Sequence, residues 1–345
     1  MSGLPSVAPI LDGAIARRVF PGAVVEIGRT NGAMETIVAG RQTYDPSAAT
    51  VEAHTIYDLA SLTKVLATAP LVADEIASGR VRLNDRVRLW IAGWTGEERQ
   101  PVTIQDLLEH ASGLPGHRRY FESRRGRASF EAAICEEPLE YVPRTRSIYS
   151  DPGFMLLGFT LENAAGAPLD RQFDAWRDRE LGADAEIGYR PNRRWWPRIA
   201  PTEATAPGEE RRGDVHDENA DALGGVAAHA GLFATAAAVG AAARWWMRAP
   251  VLQRFGTKSR VPGSSRALAW DTMLTTSSCG TRLSPSAIGH TGFTGTSLWI
   301  DIANDLYVVL LTNRVHPDAT AQEIVRVRPA LHDAVMTDLL DGGVR

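Results

Sequence analysis

Two hairpin patterns stand at opposite ends of this chain, with almost no strand signal between them, and that arrangement limits the fold more than any other feature. Residues 23–28 (AVVEIG) and 35–40 (ETIVAG) flank a turn at Asn31-Gly32 and read as an antiparallel hairpin. Residues 296–302 (TSLWIDI) and 306–313 (LYVVLLTN) flank Asn304-Asp305 and read as a second one. The run LYVVLL is apolar on both faces, as expected of a central strand covered above and below. Helical spacing brackets the strands: Val7, Ile10, Leu11, Ile15 and Val19 before Pro21-Gly22, and Ile324, Leu331, Val335 and Leu339 near the other end. The two chain ends are therefore expected to pair into one antiparallel sheet flanked by helices, an α/β (α+β) fold. The expected division is a sheet domain from residues 1–60 and 286–345, with 61–285 inserted as a mainly helical domain and the active site in the cleft between them.

With 345 residues the chain is long enough for two domains, or one domain carrying an insertion. Acidic residues number 41 and basic residues 37, a formal net charge of −4, so no basic excess points to nucleic acid. No run of about 18 apolar residues suggests a membrane span. The start of the chain lacks a basic segment followed by an apolar one, so a cytoplasmic location is expected. Cys135 and Cys279 fit reduced thiols in that setting.

One count bears on chemistry. Of the 37 basic residues only Lys64 and Lys258 are lysine. Where a fixed charge suffices this chain uses arginine, so a retained lysine hints at an amine that has to titrate. Lys64 lies three residues after Ser61, at the start of a segment whose Leu62, Val65, Leu66, Ala69, Val72 and Ile76 recur at helical intervals before Gly79. Residues i and i+3 share a helix face, which puts the Ser61 hydroxyl beside an amine at a helix start. Apolar neighbours predict a buried Lys64 whose pKa is lowered by desolvation.

These residues belong to a wider set: Ser61-Leu62-Thr63-Lys64, then residues 79–87 (GRVRLNDRV), 102–115 (VTIQDLLEHASGLP), 149–158 (YSDPGFMLLG), 224–233 (GGVAAHAGLF) and 289–301 (GHTGFTGTSLWID). In this order and spacing the chain resembles the penicillin-recognising serine hydrolases. These include class C β-lactamases, D-Ala-D-Ala carboxypeptidases, D-aminopeptidases and family VIII carboxylesterases. The resemblance implies a β-lactamase-like fold, Ser61 as nucleophile and Lys64 as its proton-accepting partner. It also implies Tyr149 as the tyrosine that passes the proton to the leaving group. A phenol can act as a base only beside a cation that favours phenolate, and Lys64 is expected to supply it. His290, Thr291 and Gly292 stand where the family has K-T-G, and the N–H groups of Phe293 and Ser61 are expected to form the oxyanion hole.

Two positions depart from the family pattern. His290 replaces its lysine, leaving partial charge near neutral pH, and Asp151 replaces its asparagine. Both changes weaken attraction for a substrate carboxylate, which neutral esters do not need. The sequence leaves open whether an arginine elsewhere in the cleft restores it. The expected activity is hydrolysis of short-chain carboxylic esters through an acyl-enzyme on Ser61, with no cofactor and a small-molecule ester or amide as the partner. The alternatives are β-lactamase, D-Ala-D-Ala carboxypeptidase or D-aminopeptidase action, or a penicillin-binding or scaffold module with little turnover. His216, Asp217 and Glu218 are adjacent on an irregular segment and do not converge as metal ligands, so no metal is expected. His110 and His229 lie beside apolar runs and read as hydrogen-bonded core histidines.

Overall fold

A computed structural model describes residues 3–206, 209–320 and 322–341. Residues 1–2 and 342–345, the outer ends of the expected sheet segments, lie outside the described residues, as do 207–208 in the long loop and 321. The described strands are β1 (Gly22–Arg29), β2 (Gly32–Gly40), β3 (Tyr57–Asp58), β4 (Ile187–Tyr189), β5 (Ala204–Ala206), β6 (Glu209–Glu210), β7 (Leu232–Ala234), β8 (Asp271–Thr272), β9 (Ile288–Thr291), β10 (Ser297–Asp301) and β11 (Leu306–Thr312). The helices are α1 (Val7–Ala16), α2 (Ala69–Ala77), α3 (Ile104–Leu108), α4 (Gly126–Glu136), α5 (Asp151–Ala165), α6 (Leu169–Glu180), α7 (Glu218–Ala222), α8 (Ala236–Arg248), α9 (Leu252–Phe255) and α10 (Ile324–Asp341).

Six strands form one antiparallel sheet in the order β2-β1-β11-β10-β9-β8, so the two ends of the chain do pair. Val25 faces Leu310 and Trp299 faces Val308 in the register. Strand β11 lies between β1 and β10 with every residue buried. Its side chains alternate as a pleat requires. Tyr307, Val309 and Leu311 enter the core shared with the helical part, whereas Leu306, Val308 and Leu310 enter a second core with Leu11 of α1 and Leu331 of α10. That double burial explains an unbroken apolar run where a half-exposed strand would alternate.

Helix α8 packs against β1 and β11, and β8 completes the sheet edge. Both come from the middle stretch, so the sheet layer draws on residues beyond 1–60 and 286–345. A three-stranded sheet, β3-β7-β4, joins Tyr57–Asp58 at the end of the first segment to two short strands of the middle stretch. Strands of two or three residues carry no readable alternation, so the sequence shows the strand-like TIYDLA that holds β3 but neither β4 nor β7. Helix α5 starts with the Ser150 hydroxyl accepting the Gly153 N–H (3.0 Å) and stops at Gly166, whose φ of +66° suits glycine. Among the described residues no helix is long and apolar enough to cross a membrane.

Candidate active site

Strand β3 delivers the chain to Ser61. The Leu59 N–H donates to Leu232 O of β7 (2.9 Å), after which Ala60 takes a φ of +45°, a left-handed conformation costing a non-glycine residue roughly 1–2 kcal/mol. Asp58 secures the turn: its Oδ1 accepts the Ala60 N–H (2.8 Å) and its Oδ2 the His216 N–H (2.7 Å). A 3₁₀ turn spans Ala60–Leu62, a π turn Lys64–Thr68, and only then does α2 begin. The periodicity predicts one continuous helix. Pro70 has no N–H to offer the carbonyl four residues before it, so a regular α ladder cannot run unbroken through this stretch.

Ser61 opens into a cavity of about 810 Å³ that is also lined by Tyr149, Asp151, His290, Thr291, Gly292 and Phe293. Lys64 is fully buried beneath them. Its Nζ donates to Ser61 Oγ (3.0 Å), Asp151 Oδ1 (2.8 Å) and His229 O (3.0 Å). Three acceptors satisfy an ammonium group. Burial pulls the Lys64 pKa down, but the Asp151 carboxylate, assisted by Tyr149, outweighs it and the net shift is upward. The lowered value expected from burial is thus corrected, because the sequence does not show that a carboxylate 87 residues away meets the amine. Burial works against the Asp151 charge too, and Lys64 and His117 together hold its carboxyl far below the usual range.

Tyr149 lies beside both, with Lys64 Nζ 4.7 Å from its ring centroid. Burial raises the phenol's pKa further than Lys64 lowers it. The resting group is therefore a neutral phenol, not the phenolate expected from the lysine's charge. His110 supports the ring from behind, at a centroid distance of 4.6 Å, while its Nδ1 accepts the Ser150 N–H (2.9 Å).

His290 is 2% exposed, and its Nδ1 lies 2.8 Å from Thr291 O. Burial, then Lys64 and Arg266, push its pKa well below 6.5. The imidazole is neutral, which corrects the partial charge expected of it. Gly292 and Phe293 turn the chain against the serine segment. Thr294 Oγ1 donates to Asp58 O (2.7 Å) and Thr296 Oγ1 to Leu59 O (3.1 Å), tying this turn to the residues just before Ser61. A Cβ on Gly292 would stand 2.1 Å from Thr296 Oγ1 and 2.5 Å from Leu59 O, so only glycine fits. Gly292→Ala should consequently lower kcat on the order of 10²-fold by displacing the Phe293 N–H. Steady-state kinetics on p-nitrophenyl acetate checks this, and a kcat within fivefold of wild type contradicts it.

Several lining residues, Arg266, His117 and Glu203 among them, carry no signal in the sequence. Arg266 pairs with Asp271 (2.7 Å), and its guanidinium stands 4.9 Å from the Tyr149 centroid. His117 approaches Asp151, and Glu203 pairs with His216 (2.9 Å). Asp217 pairs with His229 (2.9 Å). Among the described residues no group of three or more His, Cys, Asp or Glu is placed to hold a metal ion.

A serine hydroxyl, a buried lysine, a neutral phenol and a glycine-cleared turn at one cavity can support nucleophilic acyl transfer. Comparison with known proteins agrees in kind. A family model described as Beta-lactamase matches residues 7–331, and the chain belongs to that family. It is a serine hydrolase of the β-lactamase and penicillin-binding protein group, with the α/β β-lactamase fold. A protein of Escherichia coli (strain K12) named "Putative D-alanyl-D-alanine carboxypeptidase" is 31% identical over 310 residues, covering 76% of this chain and 70% of that one. Among solved structures, EstCE1, described as a hydrolase with promiscuous acyltransferase activity, matches with a TM-score of 0.76 at 19% identity, covering 96% of this chain and 98% of that one. A class C beta lactamase matches with a TM-score of 0.77 at 15% identity, covering 96% and 97%.

Proposed function

We propose that this protein hydrolyses short-chain carboxylic esters through an acyl-enzyme on Ser61. The observation that carries the reading is the 3.0 Å contact of Lys64 Nζ with Ser61 Oγ at the floor of the cavity. Ser61 attacks the ester carbonyl, Lys64 takes the hydroxyl proton, and Tyr149 protonates the departing alkoxide. The N–H groups of Ser61 and Phe293 receive the oxyanion. A second attack by water, activated by the same groups, releases the acid.

The neutral His290 supports an uncharged substrate, since no permanent cation stands at that position. A second reading, action on β-lactams or at D-amino-acid residues, draws on Arg266 and Arg328 in the cavity lining, where a substrate carboxylate could pair. The name of the Escherichia coli relative supports it as well. A panel of p-nitrophenyl acetate, butyrate and octanoate, a chromogenic cephalosporin and a D-aminoacyl anilide separates the readings. We expect kcat/KM for acetate or butyrate to exceed that for the cephalosporin and the anilide by more than about tenfold, a difference of some 1.4 kcal/mol in transition-state binding. The opposite ranking favours the second reading. A single stoichiometric burst without turnover indicates a binding module.

A further inference from the structure

The resting site poses a chemical difficulty. Lys64 has all three ammonium protons engaged, so it has no lone pair with which to take the Ser61 proton. The partner that holds it charged is Asp151, whose other oxygen, Oδ2, faces His117 Nδ1 at 3.7 Å. Side-chain exposure climbs along this row, from 0% at Lys64 through 16% at Asp151 to 53% at His117. The row thus runs from the nucleophile to the mouth of the cavity.

We propose that Asp151 relieves Lys64 of its proton before Ser61 attacks, and that His117, acting through Asp151 as a positioning residue, sets when this can happen. The proposal rests on the acyl-enzyme reading above. Lys64 Nζ passes a proton to Asp151 Oδ1, exchanging an ion pair for a neutral amine and a neutral carboxyl. In the resting site the exchange is uphill, because Lys64 and His117 hold the Asp151 carboxyl far below its usual range. Substrate that covers the 16% of the Asp151 side chain still exposed shifts it toward the neutral pair. Ser61 Oγ then gives its proton to the amine as the Oγ–C bond forms. The leaving oxygen takes the Tyr149 proton as the old C–O bond breaks. Tyr149 regains a proton from Lys64, and Asp151 returns its own to Lys64. Every proton is accounted for without an outside acid or base.

An imidazolium at His117 stabilises the Asp151 carboxylate and so keeps Lys64 charged. A neutral imidazole frees Asp151 to accept. The groups facing His117 are Asp151 at the start of α5 and Asp217 and Glu218 at the start of α7; the contact with Asp151 is the largest influence, and together they raise the His117 pKa above 6.5 despite burial. On the other side, Lys64 and His229 face Asp151. Activity should therefore rise with pH through the His117 ionisation and fall toward tenfold per pH unit below it.

The test is kcat/KM for p-nitrophenyl acetate against pH in wild type and His117→Gln, with the His117 ring titration followed by ¹⁵N NMR in wild type and Asp151→Asn. The expected result is an acid limb above pH 6.5 in wild type that His117→Gln lacks, and a His117 ring whose titration moves to lower pH in Asp151→Asn. A limb unchanged in His117→Gln, or a ring that titrates at the same pH in Asp151→Asn, overturns the proposal. Labelling with a serine-reactive phosphonate keeps the two levels apart. If Ser61 is labelled and the limb does not move, only the relay fails; if wild-type Ser61 takes no label, the acyl-enzyme reading fails and the relay with it.

Discussion

Ser61→Ala is expected to lower kcat for p-nitrophenyl esters by about 10⁴-fold or more, since it removes the atom that forms the acyl bond and leaves nothing to replace it. The fold should be nearly untouched. Lys64 keeps two of its three acceptors, Asp151 and His229 O, so the buried charge remains compensated. The lost hydrogen bond costs about 1 kcal/mol, a small movement of the urea midpoint. Kinetics and urea unfolding on the same preparation separate the two effects. A variant retaining activity within tenfold of wild type would contradict the assignment of the nucleophile.

Lys64→Arg should be nearly as damaging as Lys64→Ala, with each losing about 10²-fold or more in kcat. Arginine keeps the positive charge, but it cannot give up a proton at ordinary pH, and its planar fork does not match acceptors arranged around a single nitrogen. The two variants should part in stability. Lys64→Ala leaves the Asp151 carboxylate buried without its partner, a loss of about 3–5 kcal/mol, whereas arginine retains a counter-charge. An arginine variant with a third or more of wild-type kcat would mean that the site needs only a fixed cation, and the titrating role of the amine would be lost.

The sheet could be read from the sequence because its signals are local and redundant. LYVVLL is apolar on both faces since β11 divides two cores, and the terminal hairpins carry their turns with them. Ser61, Lys64, Tyr149 and residues 290–293 could be found because each keeps a short motif around it, and the fold brings them to one cavity apart from Lys64 beneath its floor. Charge state could not be read in the same way. Burial lowers a lysine's pKa and a carboxylate raises it, and which prevails at Lys64 depends on a partner whose proximity no local pattern encodes. Similar reasoning covers His117, visible only as a histidine in a loop, and Arg266, one of 35 arginines until the chain stacks it over Tyr149. The run TIYDLA before Ser61 reads as strand-like and holds β3, whereas β4 and β7 escaped notice because tertiary pairing, rather than their own sequence, makes them strands.

Hydrolysis at this site turns on one covalent event at one oxygen, Ser61 Oγ. Intact-protein mass spectrometry after exposure to a serine-reactive phosphonate, followed by peptide mapping, measures it directly. The predicted result is a single adduct on the peptide that contains Ser61, absent from Ser61→Ala. An adduct on another residue, or none on the folded wild-type protein, would contradict it.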